Sequence, residues 1–184
     1  MVSFQKSLDN INKNQIKGLP FEKLVKWYFE NSLIYKNIIN KVWLWNEWPG
    51  RWGIDKGIDI VIETKKGELW AVQCKDYSDN HYIKYSDVSN FLAESNRKNF
   101  EFRLLVSSNN LIGKNAQEAI NGQEKPVGLI FKDDLKNEDL DWPLNLRKKS
   151  KPHKKLKPRK HQNIAIKSVV SAFNKNDKGK LIMA

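Results

Sequence analysis

The sequence predicts an α/β fold in which a mixed sheet is sandwiched between helices, and three patterns predict it. Residues 58–64 (IDIVIET) and Leu69–Lys75 (LWAVQCK) alternate about a Lys-Lys-Gly-Glu turn, the period-two mark of paired strands. Before them, Phe21, Leu24, Val25, Tyr28 and Phe29 recur at the spacing of a helix with one buried face. After them a helix-like stretch, a buried run, another helix-like stretch and another buried run follow. The order α-β-β-α-β-α-β implies helices packed on a sheet with antiparallel and parallel neighbours.

Taken in order, residues 3–15 predict a short, weakly amphipathic helix. Pro20 suits the first turn of the next helix, where its missing N–H is no loss. Glu22 lies about 100° around that helix from Phe21, at the edge of the apolar face. It is either a first-turn acid favoured by the helix dipole or a carboxylate aimed into a cleft. Residues 43–52 hold Trp43, Trp45, Trp48 and Trp52, four of the seven tryptophans. Such aromatics either stack on bases or pack a core and its loops, and Pro49-Gly50 marks a turn.

In 58–64, Asp59, Val61 and Glu63 share one face and Ile58, Ile60 and Ile62 the other. In the following run Leu69, Ala71, Gln73 and Lys75 face one way and Trp70, Val72 and Cys74 the other. Gly67 is free to take positive φ in the turn between them. Antiparallel pairing about that turn sets Asp59 beside Gln73 and Lys75. Residues 76–85 read as a loop. Ser86 and Asp87 are candidate caps for a helix whose inner stripe is Val88, Phe91, Leu92 and Ser95. A strand over 102–107, a loop over 107–110, a helix over 114–120 and a strand over 127–131 follow. Residues 133–141 predict a short acidic helix and turn. A last helix-like stretch places Ile164, Ala165, Val169 and Phe173 on one side.

The chain has 184 residues and is 40% hydrophobic, enough for one sizeable core plus an attachment. No apolar run approaches the roughly 18 residues of a membrane span, and the N-terminus lacks a basic-then-apolar signal pattern. Cys74 is the lone cysteine, which excludes an internal disulfide and gives no zinc cluster. A cytoplasmic protein fits this composition. The net charge is +12, but residues 1–146 carry 20 Lys and Arg against 20 Asp and Glu. The body is therefore neutral, and residues 147–160 hold nine basic residues and no acid. This divides the chain into a globular body (1–146), a basic linker (147–160) and a final segment (161–184). That segment ends on an apolar strand start cut off in mid-element, so the chain is expected to be the N-terminal piece of something larger.

Phosphodiester hydrolysis needs the phosphate charge neutralised and a water placed in line, which a carboxylate-held divalent cation does. Hard cations prefer oxygen ligands and keep several positions for water and phosphate. Asp59 offers an anionic oxygen, Gln73 an amide oxygen and Cys74 its backbone carbonyl. Lys75 offers an ammonium group that orients water or stabilises developing charge, and Glu22 a second carboxylate. Singly, Asp59 and Lys75 are ordinary surface residues. Gln73 at an otherwise apolar strand position is harder to explain, because a buried amide needs partners.

These residues resemble the Mrr-like branch of the PD-(D/E)XK nucleases. That branch pairs a helical Phe-Glu with a G-x-D-x-G-x-D strand start and a Q-x-K strand end. The sequence carries Phe21-Glu22, then Gly53-Ile54-Asp55-Lys56-Gly57-Ile58-Asp59, then Gln73-Cys74-Lys75. The resemblance covers roughly residues 18–131. It implies a restriction-endonuclease-like fold, a mixed central sheet flanked by helices, acting on duplex DNA with Mg²⁺. It also implies that Asp59 is the principal metal ligand, that Gln73 stands where other branches carry Glu, and that Lys75 is the catalytic lysine. Glu22 matches the helix glutamate that aids metal binding, and Asp55 a supporting acid.

Further on, Arg159-Lys160-His161-Gln162 followed by Ala165-Ile166 resembles the R-x-H-Q-x-x-A-I opening of superfamily 2 helicase-like ATPases. In that family the glutamine matched by Gln162 contacts adenine. The phosphate-binding loop G-x-x-x-x-G-K-[ST] does not occur in the sequence, so no ATPase activity is expected of this segment. A nuclease joined to a helicase-like motor in one polypeptide is similar to the type ISP restriction-modification enzymes. There ATP drives translocation and a methyltransferase uses S-adenosylmethionine, both in the full-length parent. The alternatives are the motor subunit of type I restriction enzymes, a modification-dependent Mrr-like nuclease, and a non-catalytic DNA-binding or motor-docking module.

A neutral body gains little affinity from counterion release. Residues 1–146 alone are therefore expected to bind plain duplex DNA weakly. Fluorescence anisotropy across a salt series checks this; a salt-sensitive, sub-micromolar Kd would overturn it.

Overall fold

Two apolar-alternating strands around a tight turn nucleate a five-stranded sheet, to which the rest of the chain adds strands and two helical layers. The computed structural model describes residues 2–14, 20–53, 57–146 and 160–173. Its elements are α1 (Phe4–Asn14), α2 (Pro20–Asn31), β1 (Ile39–Leu44), β2 (Ile60–Thr64), β3 (Leu69–Lys75), α3 (Tyr85–Glu94), β4 (Phe102–Ser107), α4 (Lys114–Asn121), β5 (Val127–Ile130), α5 (Lys132–Asn137) and α6 (Lys160–Phe173). The strand order is β1-β2-β3-β4-β5. The first three pair antiparallel and the last three parallel, the latter joined through α3 and α4 as parallel pairs require. The mixed α/β sheet expected from the sequence is present.

The β2–β3 turn works as its residues dictate. Gly67 takes φ +82°, and Thr64 Oγ1 accepts the Lys66 and Glu68 amides at 3.3 and 3.1 Å. Alternation then divides the core in two. Ile60, Ile62, Val72, Leu104 and Val106 pack under α1 and α2. Val61, Ala71 and Leu105 pack under α3 and α4 with Val88, Phe91 and Ala116. On the first side Trp142 closes the layer, its ring 4.9 Å from Phe4 and 5.7 Å from Tyr28.

Four details depart from the sequence pattern. No strand is predicted over 39–44, because β1 is an edge strand in which Val42 alone is buried, leaving little periodicity to read. Ile58, expected to share a face with Ile60 and Ile62, packs in the opposite layer. The regular ladder starts only at Ile60. Asp59 N–H donates to Val72 O (2.9 Å), although Val72 is the register partner of Ile60. Two residues thus answer to one, a bulge-like slip of the kind that re-aims side chains. At α3, Ser86 lies inside the first turn, and Asp87 reaches back to the Lys84 amide at 2.7 Å. In α6, Ile164 is exposed, while Ala165, Val169 and Ala172 are the partly covered positions.

The tryptophans of 43–52 are core and packing residues. Trp45 and Trp48 are buried, and their rings lie 5.1 and 5.7 Å from Trp52. Arg103, fully buried in β4, donates to Leu92 O, Gln123 Oε1 and Lys125 O. It thereby ties the end of α3 to the α4–β5 connection, satisfying carbonyls that burial would otherwise leave unpaired.

The chain forms two compact units, Met1–Ser150 and Lys151–Ala184. In the second, α6 is the described element. The basic stretch 147–159 and the strand-like end 179–184 lie outside the described residues. No described helix is long and apolar enough to cross a membrane.

Leu105, fully buried in the interior strand β4, gives a direct test of this packing. Leu105→Ala is expected to destabilise the protein by about 2–5 kcal/mol, read as a lower urea midpoint with an unchanged denaturant slope.

Candidate active site

β2 and β3 run in opposite directions, so the start of β2 and the end of β3 meet at one edge of the sheet. β4, parallel to β3, ends there too, with Ser107 opposite Lys75. The slip before Ile60 gives Asp59 its place. Its amide donates to Val72 O, and its Oδ2 accepts the Cys74 N–H at 2.6 Å. Asp59 thus brackets Gln73 from both sides, as expected from the turn. A hydrogen bond from a backbone amide to a carboxylate is among the stronger ones, about 1.5–3 kcal/mol.

Gln73 sits on the α3 side and is only 3% exposed. Its Nε2 lies beside Gly57, 3.3 Å from where a Cβ would project. Its Oε1 has no hydrogen-bond partner among the described residues. An unpaired buried amide oxygen costs about 1–3 kcal/mol, so a side chain held in this way invites a ligand.

Cys74 points to the opposite face, towards the α1–α2 layer. Burial pushes its thiol well above the ordinary cysteine range; the charges of Asp59 and then Glu22 raise it further, and Lys75 opposes them. Glu22 lies in the first turn of α2, and its charge, like those of Asp59 and Lys75, is felt at the Cys74 thiol. Asp55 and the Gln162 side chain lie outside the described residues. No cluster of three or more His, Cys, Asp or Glu side chains stands ready for a metal among the described residues. The oxygen donors at this end of the sheet are instead the Asp59 carboxylate, the Gln73 amide and backbone carbonyls.

Two further features shape this edge, and the motif and strand patterns did not show their roles. Gly57 takes φ +107°, and a Cβ there would meet the Phe91 amide nitrogen at 3.0 Å. Only glycine lets this segment lie against α3. Ser107, Ser108 and Asn109, predicted as plain loop, are all buried, and a polar triplet at the end of an apolar strand was the signal available. Gly57→Ala is expected to cost about 1–3 kcal/mol from backbone strain and to displace Gln73. A lower melting temperature and altered Gln73 side-chain amide resonances by NMR check it.

The restriction endonuclease family model Mrr_cat_2 matches residues 30–152. No curated protein matches the chain. Among solved structures, the ATP-dependent type ISP restriction-modification enzyme LlaBIII bound to DNA is similar over 100% of this chain, with 33% identity and a TM-score of 0.72. This chain spans 12% of that enzyme's length. The MspJI restriction endonuclease in complex with a 27-mer oligonucleotide is 16% identical over 72% of this chain and 27% of its own, with a TM-score of 0.43. The DNA modification-dependent restriction endonuclease AspBHI is 17% identical over 71% of this chain and 33% of its own, with a TM-score of 0.44. With the family model covering all five strands of the sheet, both strands of the site among them, this chain belongs to the restriction endonuclease family.

Proposed function

We propose that Asp59, Gln73 and Lys75, assisted by Glu22, form the cleavage centre of a divalent-metal-dependent DNA endonuclease. The observation that carries this reading is the buried Gln73 amide oxygen, without a partner among the described residues, on the residue next to the Cys74 amide that fixes the Asp59 carboxylate. That donor set suits a hard, oxygen-preferring cation such as Mg²⁺, which keeps most of its positions for water and phosphate. Asp59 would be the principal ligand, with Gln73 Oε1 and the Cys74 carbonyl as neutral ligands and Glu22 as an added carboxylate; Asp55 has a supporting role. The bound cation would supply Lewis-acid activation of the phosphate and of a water molecule.

The chain's own residues divide the remaining work. The Cys74 N–H fixes the Asp59 carboxylate before substrate arrives, so no reorganisation is needed at the moment of reaction. Lys75, one residue past that amide, presents its ammonium to charge developing on the phosphate or holds the attacking water. Burial of Gln73 keeps its oxygen out of competition with bulk solvent.

The domain reading is a nuclease body (1–146), a basic linker (147–160) and the start of a helicase-like ATPase segment (161–184). The substrate is duplex DNA, delivered by an ATP-driven motor in the same polypeptide. Gln162 would contact adenine there, and S-adenosylmethionine would serve a methyltransferase elsewhere in it. The 33% identity to a type ISP enzyme across the whole chain supports this arrangement.

In the full-length protein, Asp59→Ala is expected to abolish cleavage of duplex DNA while ATP hydrolysis continues. Chelation by EDTA should stop cleavage, and added Mg²⁺ should restore it. A gel assay showing undiminished cleavage by Asp59→Ala would reject the catalytic reading in favour of a docking module.

A further inference from the structure

The chain directly after Lys75 is gripped by buried polar groups to a degree that a surface loop does not require. Ser107, Ser108 and Asn109 lie at and just beyond the end of β4, and Asn109 is completely buried. Lys75 O accepts the Ser108 N–H at 2.9 Å and the Ser107 hydroxyl at 3.3 Å. Ser108 Oγ donates to Asp76 Oδ1 at 2.6 Å and accepts the Tyr77 N–H at 2.9 Å. Asn109 spends both amide hydrogens on the same segment, donating to Ser78 O at 2.9 Å and His81 O at 2.6 Å. Its Oδ1 lies 3.0 Å from the Ser107 hydroxyl.

Other elements hold the same segment from outside. Asn12 of α1 donates to Asp76 Oδ2 at 3.3 Å, and the buried Lys132 of α5 donates to Asp79 at 2.6 Å. Residues 75–81 are thus pinned from three directions, through carbonyls and carboxylates that a loop usually gives to water. The pinned segment begins at Lys75, whose long stem leaves its ammonium free to swing unless the backbone beneath it is fixed.

We propose that Ser108 and Asn109 are positioning residues for cleavage. They hold the end of β3 and the turn after it, so that Lys75 stands at a fixed place beside Asp59 and Gln73. This rests on the role assigned to Lys75 above. The hydroxyl of Ser108 does the holding at Asp76 and Tyr77, and the Asn109 amide spans the turn. Neither residue touches substrate.

The test compares Ser108→Ala, Ser108→Thr and Asn109→Asp in the full-length protein, with Asp59→Ala and Lys75→Ala as references. Single-turnover cleavage, DNA affinity and melting temperature are read for each. Asn109→Asp keeps the size but sets an acceptor against the Ser78 and His81 carbonyls. Ser108→Ala and Asn109→Asp are expected to slow cleavage by about 10- to 100-fold, the scale of a displaced reacting group, with DNA affinity unchanged. Ser108→Thr, which keeps the hydroxyl, restores the rate. In a Lys75→Ala background Ser108→Ala adds no further loss, because nothing remains for it to aim.

Parent-like cleavage by Ser108→Ala and Asn109→Asp would overturn the inference. So would a loss that Ser108→Thr does not rescue and that tracks DNA affinity or melting temperature. If Asn109→Asp does not fold, the two Ser108 variants decide the matter. Undiminished cleavage by Lys75→Ala and Asp59→Ala would instead reject the catalytic assignment itself, so the two failures are distinguishable.

Discussion

The hydrogen bond from the Cys74 amide to the Asp59 carboxylate is the contact on which the arrangement of the sheet edge depends. It exists because the β2 ladder slips just before Ile60, so that Asp59 meets the end of β3 through its side chain as well as its backbone. A regular ladder would have spent the Cys74 amide on a carbonyl. The slip redirects that donor to a charged acceptor, and a charge-assisted bond of this kind is strong enough to hold a carboxylate in place. Ile58 moves to the other core layer as part of the same adjustment.

Around that bond the two faces of the sheet contribute different things. The α3 side supplies the buried Gln73 and the close approach of Gly57. The α1–α2 side holds the Cys74 thiol, which burial and then the charges of Asp59 and Glu22 push up while Lys75 opposes them. Buried polar groups are costly unless paired, and the fold concentrates several of them here. The fully paired ones, Ser107, Ser108 and Asn109, stiffen the edge. The Gln73 oxygen is the exception, buried without a partner among the described residues.

Charge follows a different logic. The globular body is balanced between acids and bases, and the excess lies after it. A neutral body has little reach for DNA by field alone, which fits the proposal that a motor in the same polypeptide delivers the substrate. Surface ion pairs such as Lys114–Glu118, both well exposed, add at most about 1 kcal/mol each and do not alter that balance. The stability of the body comes from its two apolar layers.

Most of the fold could be read along the chain because β2, β3, α2 and α3 each bury a face with a clear period. β1 escaped because a half-covered edge strand needs only one inward residue, Val42. The candidate site was legible as far as local pattern reached: Asp59, Gln73 and Lys75 follow from two strands and the turn between them, and Gly67 fixes that turn. The sequence by itself determined the alternation, the antiparallel pairing and the oddity of an amide at an apolar position. The slip that aims Asp59 at the Cys74 amide and the burial of Ser107, Ser108 and Asn109 arise only in the packed molecule. Those depend on contacts between segments tens of residues apart, and periodicity carries information about a segment's own faces, not about which distant group those faces will meet.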